Sequence, residues 1–153
     1  MVATIDRPQT DRRGRSLVMI NKLVDSRTGM LTLYTQLAQQ KPYVGNADVP
    51  ALLEEFCQSL VDYAANAHFQ LYRHFAEKNE RRQEIFVVAE DIYPNILKMT
   101  NKLLDFNDKY DCGDQCVQLN ELESDLSHIG EVLADRIELE DNLIAAFGYS
   151  FDD

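Results

Sequence analysis

The sequence of 153 residues contains no run of about eighteen apolar residues, the length that a helix needs to cross a membrane. Its first residues, MVATIDRPQTDRRGR, are charged and lack the apolar segment of a secretory signal. No segment alternates polar and apolar residues for long enough to predict a strand. We therefore expect a helical protein without a membrane span that stays in the cytoplasm.

Cysteine is scarce, with Cys57, Cys112 and Cys116 as its three occurrences. Three cysteines do not form a disulfide framework in a reducing compartment. Cys57 lies beside a stripe of apolar residues and is predicted to be a small buried side chain. Cys112 and Cys116 form a C-x3-C pair, but zinc requires two further ligands, and no second pair with suitable spacing occurs. We predict no metal and no other cofactor.

Motifs for catalysis are also missing from the sequence. There is no glycine-rich phosphate loop and no nucleophile elbow, and Cys57 has no histidine one helical turn away. A carboxylate-bridged di-iron site needs two Glu-x-x-His pairs, whereas this chain has only Asp125-x-x-His128, which lies off the apolar stripe. Arg136 and Glu140, four residues apart, are predicted to pair at the edge of the core. We predict that the protein is not an enzyme.

Basic residues are scarce at the carboxyl end of the chain. Residues 111–153 contain one, Arg136, against twelve acidic residues, a net charge of −11. Residues 1–27 carry six basic and three acidic residues (+3), and residues 28–110 carry eight and eleven (−3), which gives −11 in total. Such a surface repels nucleic acid and attracts a basic protein, including one that itself binds DNA. The alternative is that acidic helices only confer solubility.

Apolar residues at helical spacing predict four long elements, at about 11–40, 52–75, 85–109 and 115–147. The third is expected to be split near Pro94, because proline lacks the N–H that a helix uses. The prediction is an all-α fold, an elongated antiparallel helical bundle over 11–148, with tails at 1–10 and 149–153. In the first element the stripe is interrupted at Arg27, which a bend, a loosened turn or a functional surface would each explain.

The stretch 52–75, LLEEFCQSLVDYAANAHFQLYRHF, is the most informative part of the chain. Its apolar stripe predicts that one helical face packs against other elements; the members are Leu53, Phe56, Leu60, Ala64, Ala67, Leu71 and Phe75. A different face carries Glu55, Ser59, Asp62 and Asn66, and Phe69 follows seven residues after Asp62. Periodicity fits a helix that binds a protein partner and also an ordinary bundle helix.

Three phrases of the sequence resemble the Rsd/AlgQ family of bacterial anti-sigma proteins. They are FCQSLVDY at 56–63 followed by His68-Phe69, NKLVD at 21–25, and DLSHIGEVLADRIELEDNLI at 125–144. The likeness extends over about residues 12–147. It implies an elongated all-helical bundle that binds the C-terminal helix-turn-helix region of the primary sigma factor, which reads the −35 promoter element. Such binding blocks the contacts of sigma with DNA and with core polymerase.

The resemblance also implies which residues bind. Asp62 corresponds to the family's important second-helix aspartate, and Asp25 matches its first-helix aspartate, although an internal ion pair is the alternative for Asp25. Helical geometry adds four neighbours of Asp62 as expected contacts: Glu55, Ser59, Asn66 and Phe69. The chain departs from the family at Ser26-Arg27, where Arg-Trp is common, and at Ala65-Asn66-Ala67. Cys112 and Cys116 lie outside the family pattern.

Three functions are therefore compared. The first is an anti-sigma factor that binds the primary sigma factor one to one and regulates transcription. The second is a related interaction module with a different protein partner, with Arg27 marking the change. The third is a helical bundle that holds a metal or cofactor and has redox activity, which the sequence supports least. Self-association through an exposed Phe69 is compatible with either of the first two.

Overall fold

The computed structural model describes residues 7–67, 83–110 and 119–146. Four long helices account for most of these residues: α1 (Arg7–Ala38), α2 (Val49–Asn66), α3 (Gln83–Tyr110) and α4 (Leu122–Ala146). A 3₁₀ turn, Leu119–Glu121, leads into α4. Each helix packs against the next one in the chain, and α1 also makes a lighter contact with α4. The predicted all-α helical bundle is confirmed. None of the described helices is both long and apolar enough to span a membrane.

The helix bounds differ from the predicted ones at several places. Helix α1 begins at Arg7, four residues before its predicted start, and continues unbroken through Arg27. Helix α3 also runs without a break through Pro94, so the predicted split of the third element is not found. Pro94 is exposed, whereas Ile92 and Ile96 on either side of it are buried. Pro94 leaves the carbonyl four residues before it without a donor, but the packing of the two isoleucines holds the helix on both sides.

The apolar stripes of the helices meet in one core. In α2 the predicted stripe is confirmed within the described residues, and Cys57 is buried beside it as predicted. In α1 Ile20 is buried as its spacing predicts, whereas Leu23, Met30 and Leu37 are buried in place of the expected Val24, Leu31 and Ala38, which follow them by one position and are half-buried. In α4 the fully buried apolar residues are Leu122, Leu126, Ile129, Val132, Leu133, Leu143 and Ile144. Leu71 and Phe75 of the predicted α2 stripe, and Phe147 at the end of the fourth predicted element, lie outside the described residues.

A row of aromatic rings crosses the core from α1 to α3. Tyr34 packs against Phe56 with ring centroids 5.8 Å apart, and Phe56 meets Phe106 edge to face at 5.7 Å. Phe106 in turn lies 4.8 Å from Tyr110. These separations and tilts are the favourable ones for aromatic pairs. The row therefore ties three helices together through the middle of the bundle.

Helix α1 approaches α4 closely where α4 has a glycine. The Tyr34 hydroxyl donates a hydrogen bond to the Leu126 carbonyl at 2.9 Å. This position leaves the Tyr34 ring directly over Gly130, where an added Cβ would overlap the hydroxyl oxygen and lie 3.0 Å from Cζ. A side chain at position 130 would therefore displace Tyr34 from its hydrogen bond.

The connection between α1 and α2 is held by Asn46 and Tyr43. The side-chain amide of Asn46 donates from Nδ2 to the Gln40 backbone carbonyl at 3.0 Å, and Tyr43 is buried in the core. Asp48 immediately precedes α2, which has a proline in its first turn, and the Asp48 side chain makes no capping hydrogen bond to that turn. The loop therefore depends on Asn46 and on the burial of Tyr43 rather than on a side-chain cap.

Two glycine-to-alanine substitutions provide a matched test of the α1–α4 packing. Gly130→Ala is expected to destabilise the fold by about 1–3 kcal/mol, because the new methyl group pushes Tyr34 away from Leu126. Gly29→Ala has open space around its Cβ and lies inside α1, so it is expected to stabilise the fold by about 0.5–1 kcal/mol. Urea unfolding of both variants measures the difference. Equal effects of the same sign would contradict the close α1–α4 approach.

Candidate protein-binding site

Helix α2 presents the predicted binding residues on one side, because 55, 59, 62 and 66 are separated by three or four positions. Glu55 and Asp62 are exposed, and Ser59 and Asn66 are half-buried. Phe69 lies outside the described residues, so its placement stays a prediction. The backbone amides of this α2 segment hydrogen-bond within the helix, so a partner would contact its side chains.

Helix α1 contributes Asp25 to the same region. Asp25 is exposed, which fits a surface role better than the internal ion pair that the sequence left open. The adjacent Ser26 accepts a hydrogen bond from the Asn66 amide nitrogen at 3.2 Å. This bond lies one residue from Asp25 and one helical turn from Asp62, so both carboxylates stand near the same α1–α2 contact. We call this surface, formed by Asp25, Glu55, Ser59, Asp62 and Asn66, the acidic face.

Beneath the acidic face lies a buried cluster of charges that the sequence did not predict. Arg136 and Glu140 of α4 are both fully buried, and Arg136 Nε lies 3.7 Å from Glu140 Oε2. The predicted position of this pair at the edge of the core is therefore wrong. The reason is that side chains of α1 and α2 cover this side of α4, where both charges lie between the buried Leu133 and Ile144.

Other helices supply further partners for Glu140. The Tyr63 hydroxyl of α2, next to Asp62, donates to Glu140 Oε1 at 2.6 Å, and this bond is buried. Arg27 of α1 lies 3.5 Å from the same oxygen and donates to Asp141 Oδ1 at 2.9 Å. We call Arg27, Tyr63, Arg136, Glu140 and Asp141 the charge cluster. Its two guanidinium groups and two carboxylates balance one another, which reduces the cost of burying them.

The Arg136 guanidinium has an aromatic neighbour instead of hydrogen-bond acceptors. Its central carbon lies 5.0 Å from the centroid of the Tyr63 ring, within the range of a cation–π contact. Among the described residues no acceptor lies within hydrogen-bonding geometry of Nε, Nη1 or Nη2. A buried guanidinium in such surroundings depends on the charge of Glu140.

A second polar group joins the end of α3 to the start of α4. Lys109 Nζ lies 2.8 Å from Asp125 Oδ2 and 3.0 Å from Glu121 Oε2, and the Tyr110 hydroxyl donates to Asp125. Burial acts to raise the pKa of Asp125, but the hydrogen bonds from Lys109 and Tyr110 prevail and hold it below its ordinary value. Burial and the bond to Asp125 raise the pKa of Tyr110. Asp125 therefore joins the end of α3 to the start of α4.

A shallow groove of about 230 Å³ runs beside this second group. Its lining residues mix both signs of charge over an apolar floor: Lys102, Asp105, Phe106, Lys109, Tyr110, Asp125, His128 and Ile129. No three metal-ligating side chains come together in the part of the chain that the structure describes. Cys112 and Cys116 lie outside that part.

Neutralising the buried carboxylate should reveal how much the fold depends on the charge cluster. Glu140→Gln is expected to lower the free energy of unfolding by about 3 kcal/mol, because Arg136 then stays buried without a counter-charge. Glu138→Gln makes the same charge change at an exposed position of α4 and should alter it by less than about 0.5 kcal/mol. Guanidinium unfolding compares the two. Similar small effects would show that Arg136 does not need Glu140.

Comparison with known proteins identifies a family for this chain. Residues 1–147 match the family described as regulator of RNA polymerase sigma(70) subunit, Rsd/AlgQ. The chain is 34% identical over 146 residues to the regulator of sigma D of Salmonella typhimurium and of Salmonella newport, covering 88% of this chain and 85% of each relative. It is 33% identical over 142 residues to that of an Enterobacter species, covering 89% and 84%. No solved structure matches. The chain therefore belongs to the Rsd/AlgQ family of regulators of the RNA polymerase sigma(70) subunit.

Proposed function

We propose that this protein is an anti-sigma factor that binds the C-terminal, promoter-reading region of the primary sigma factor one to one. Binding through the acidic face withdraws that region from RNA polymerase and thereby regulates transcription. Membership of the family and the names of the relatives support the choice of partner. The role is one of binding rather than catalysis, and it is exerted in the cytoplasm, where the polymerase acts.

The observation that carries this proposal is that Asp62 is exposed on a helix that is bonded to the buried charge cluster through the next residue, Tyr63. Asp62, which the resemblance identifies with the family's second-helix aspartate, is exposed, whereas the adjacent Tyr63 is buried and bonded to Glu140. A helix-turn-helix module carries basic side chains because it binds DNA phosphates. Carboxylates on a fixed surface attract such a module and compete with the phosphates for it.

The first measurement is calorimetry of the purified protein with the isolated C-terminal module of the host's primary sigma factor at two salt concentrations. We expect one-to-one binding with a Kd that weakens as salt screens the charges. Absence of binding at low salt would contradict the proposal. It would favour the second candidate, a different protein partner, for which the Ser26-Arg27 departure is the supporting feature.

Charge reversal at the centre of the acidic face tests the contact itself. Asp62→Arg is expected to weaken binding by at least about thirtyfold, because it replaces an attraction by a repulsion within the interface. Asp108→Arg, at an exposed position of α3, makes the same change in net charge and should leave the Kd within about threefold. Circular dichroism should show unchanged helicity for both variants. Equal weakening by the two would indicate a general charge effect instead of a contact at Asp62.

A further inference from the structure

Arg27 is the residue through which α1 reaches the charge cluster. Its side chain is 11% exposed and spans from α1 to Asp141 and Glu140 of α4. Helix α1 packs mainly on α2 and only lightly on α4. Long side chains therefore make the connection between α1 and α4, and the two described hydrogen bonds between these helices start from Arg27 and Tyr34.

The position of Arg27 relative to Asp25 gives this connection a consequence at the surface. Two residues apart on an α-helix, side chains point about 200° away from each other around the axis. An inward Arg27 therefore requires an outward Asp25, and Asp25 is indeed exposed. Rotation of α1 about its own axis would move Arg27 away from Asp141 and turn Asp25 away from its present direction. The ion pair resists that rotation.

Helix α2 is also bonded to the charge cluster, through Glu140. Tyr63 donates to Glu140, and Asp62 precedes Tyr63 on the exposed side. Arg27 of α1 lies 3.5 Å from the Glu140 oxygen that accepts this bond. One buried carboxylate thus sets the position of both helices that carry the acidic face. The interruption of the α1 apolar stripe falls at Arg27, the residue that makes this connection, and the helix continues unbroken there.

We propose that Arg27 is a positioning residue for partner binding, which holds Asp25 and Asp62 in a fixed relative orientation by pairing with Asp141 and Glu140. This inference rests on the proposed function of the acidic face. A surface whose carboxylates are already oriented loses less conformational entropy on binding, and the gain is found mainly in the dissociation rate.

The test measures association and dissociation rates of the full-length protein with the C-terminal sigma module, at a temperature where every variant is folded by circular dichroism. Arg27→Met should raise the dissociation rate by about tenfold. Lys22→Met removes the same charge from an exposed position of α1 and should leave the dissociation rate unchanged. Arg27→Lys keeps the cation and should restore the rate to within about threefold. Asp141→Asn changes the other partner of the ion pair, a side chain that is 42% exposed, and should raise the dissociation rate by a smaller factor. Because this side chain is partly exposed, Asp141→Asn should fold even if Arg27→Met does not.

The outcomes separate the two proposals. Suppose that the unmodified protein binds and that Arg27→Met dissociates no faster than Lys22→Met. Arg27 then has no positioning role, while the proposed function stands. If Arg27→Met does not fold, Asp141→Asn takes its place in this comparison. If the unmodified protein itself does not bind the sigma module, the proposed function fails and the inference fails with it. Faster dissociation of Arg27→Met with no rescue by Arg27→Lys would show that the size of the side chain matters, not its charge, and would also overturn the inference.

Discussion

The carboxylate of Glu140 is the constraint on which the rest of the bundle depends. A buried charge is costly unless opposite charges and hydrogen-bond donors surround it at close range. Here the partners come from three helices, with Arg27 on α1, Tyr63 on α2 and Arg136 on α4 itself. Apolar stripes tolerate small shifts of one helix along another, whereas these distances do not. The charge cluster therefore selects one arrangement of α1, α2 and α4 among those that the apolar core alone would permit.

The same arrangement links the interior of the protein with its surface. Inward residues and exposed carboxylates alternate along both helices of the acidic face, with Arg27 close to Asp25 and Tyr63 beside Asp62. The acidic residues of α4 fall into two groups. Glu140 and Asp141 are used against Arg27 and Arg136, while Glu131, Asp135 and Glu138 are exposed. Part of the chain's negative charge therefore stabilises the fold, and the exposed remainder contributes to the field that a basic partner meets.

The features that were predictable are those that depend on near neighbours in the chain. The α2 stripe, the burial of Cys57 and the exposure of Asp62 all follow from helical spacing. The break expected at Pro94 did not occur, because an exposed proline between two buried isoleucines leaves packing to support the helix. In α1 three buried residues, Leu23, Met30 and Leu37, lie one position before the predicted ones, because each is adjacent to another apolar residue and only the neighbouring helices decide which of the two is covered. The binding role of the acidic face stays a prediction.

By itself, the sequence determined the helical class, the apolar face of α2 and the family to which the chain belongs, since each is encoded in local spacing or in short phrases. Only the tertiary structure decided that Arg136 and Glu140 are buried and that Arg27 pairs with a residue 114 positions away. An Arg–Glu pair four residues apart occurs on exposed and buried helix faces alike. Which of these it is depends on the direction from which other helices pack, and that direction is set by contacts between residues distant in the chain.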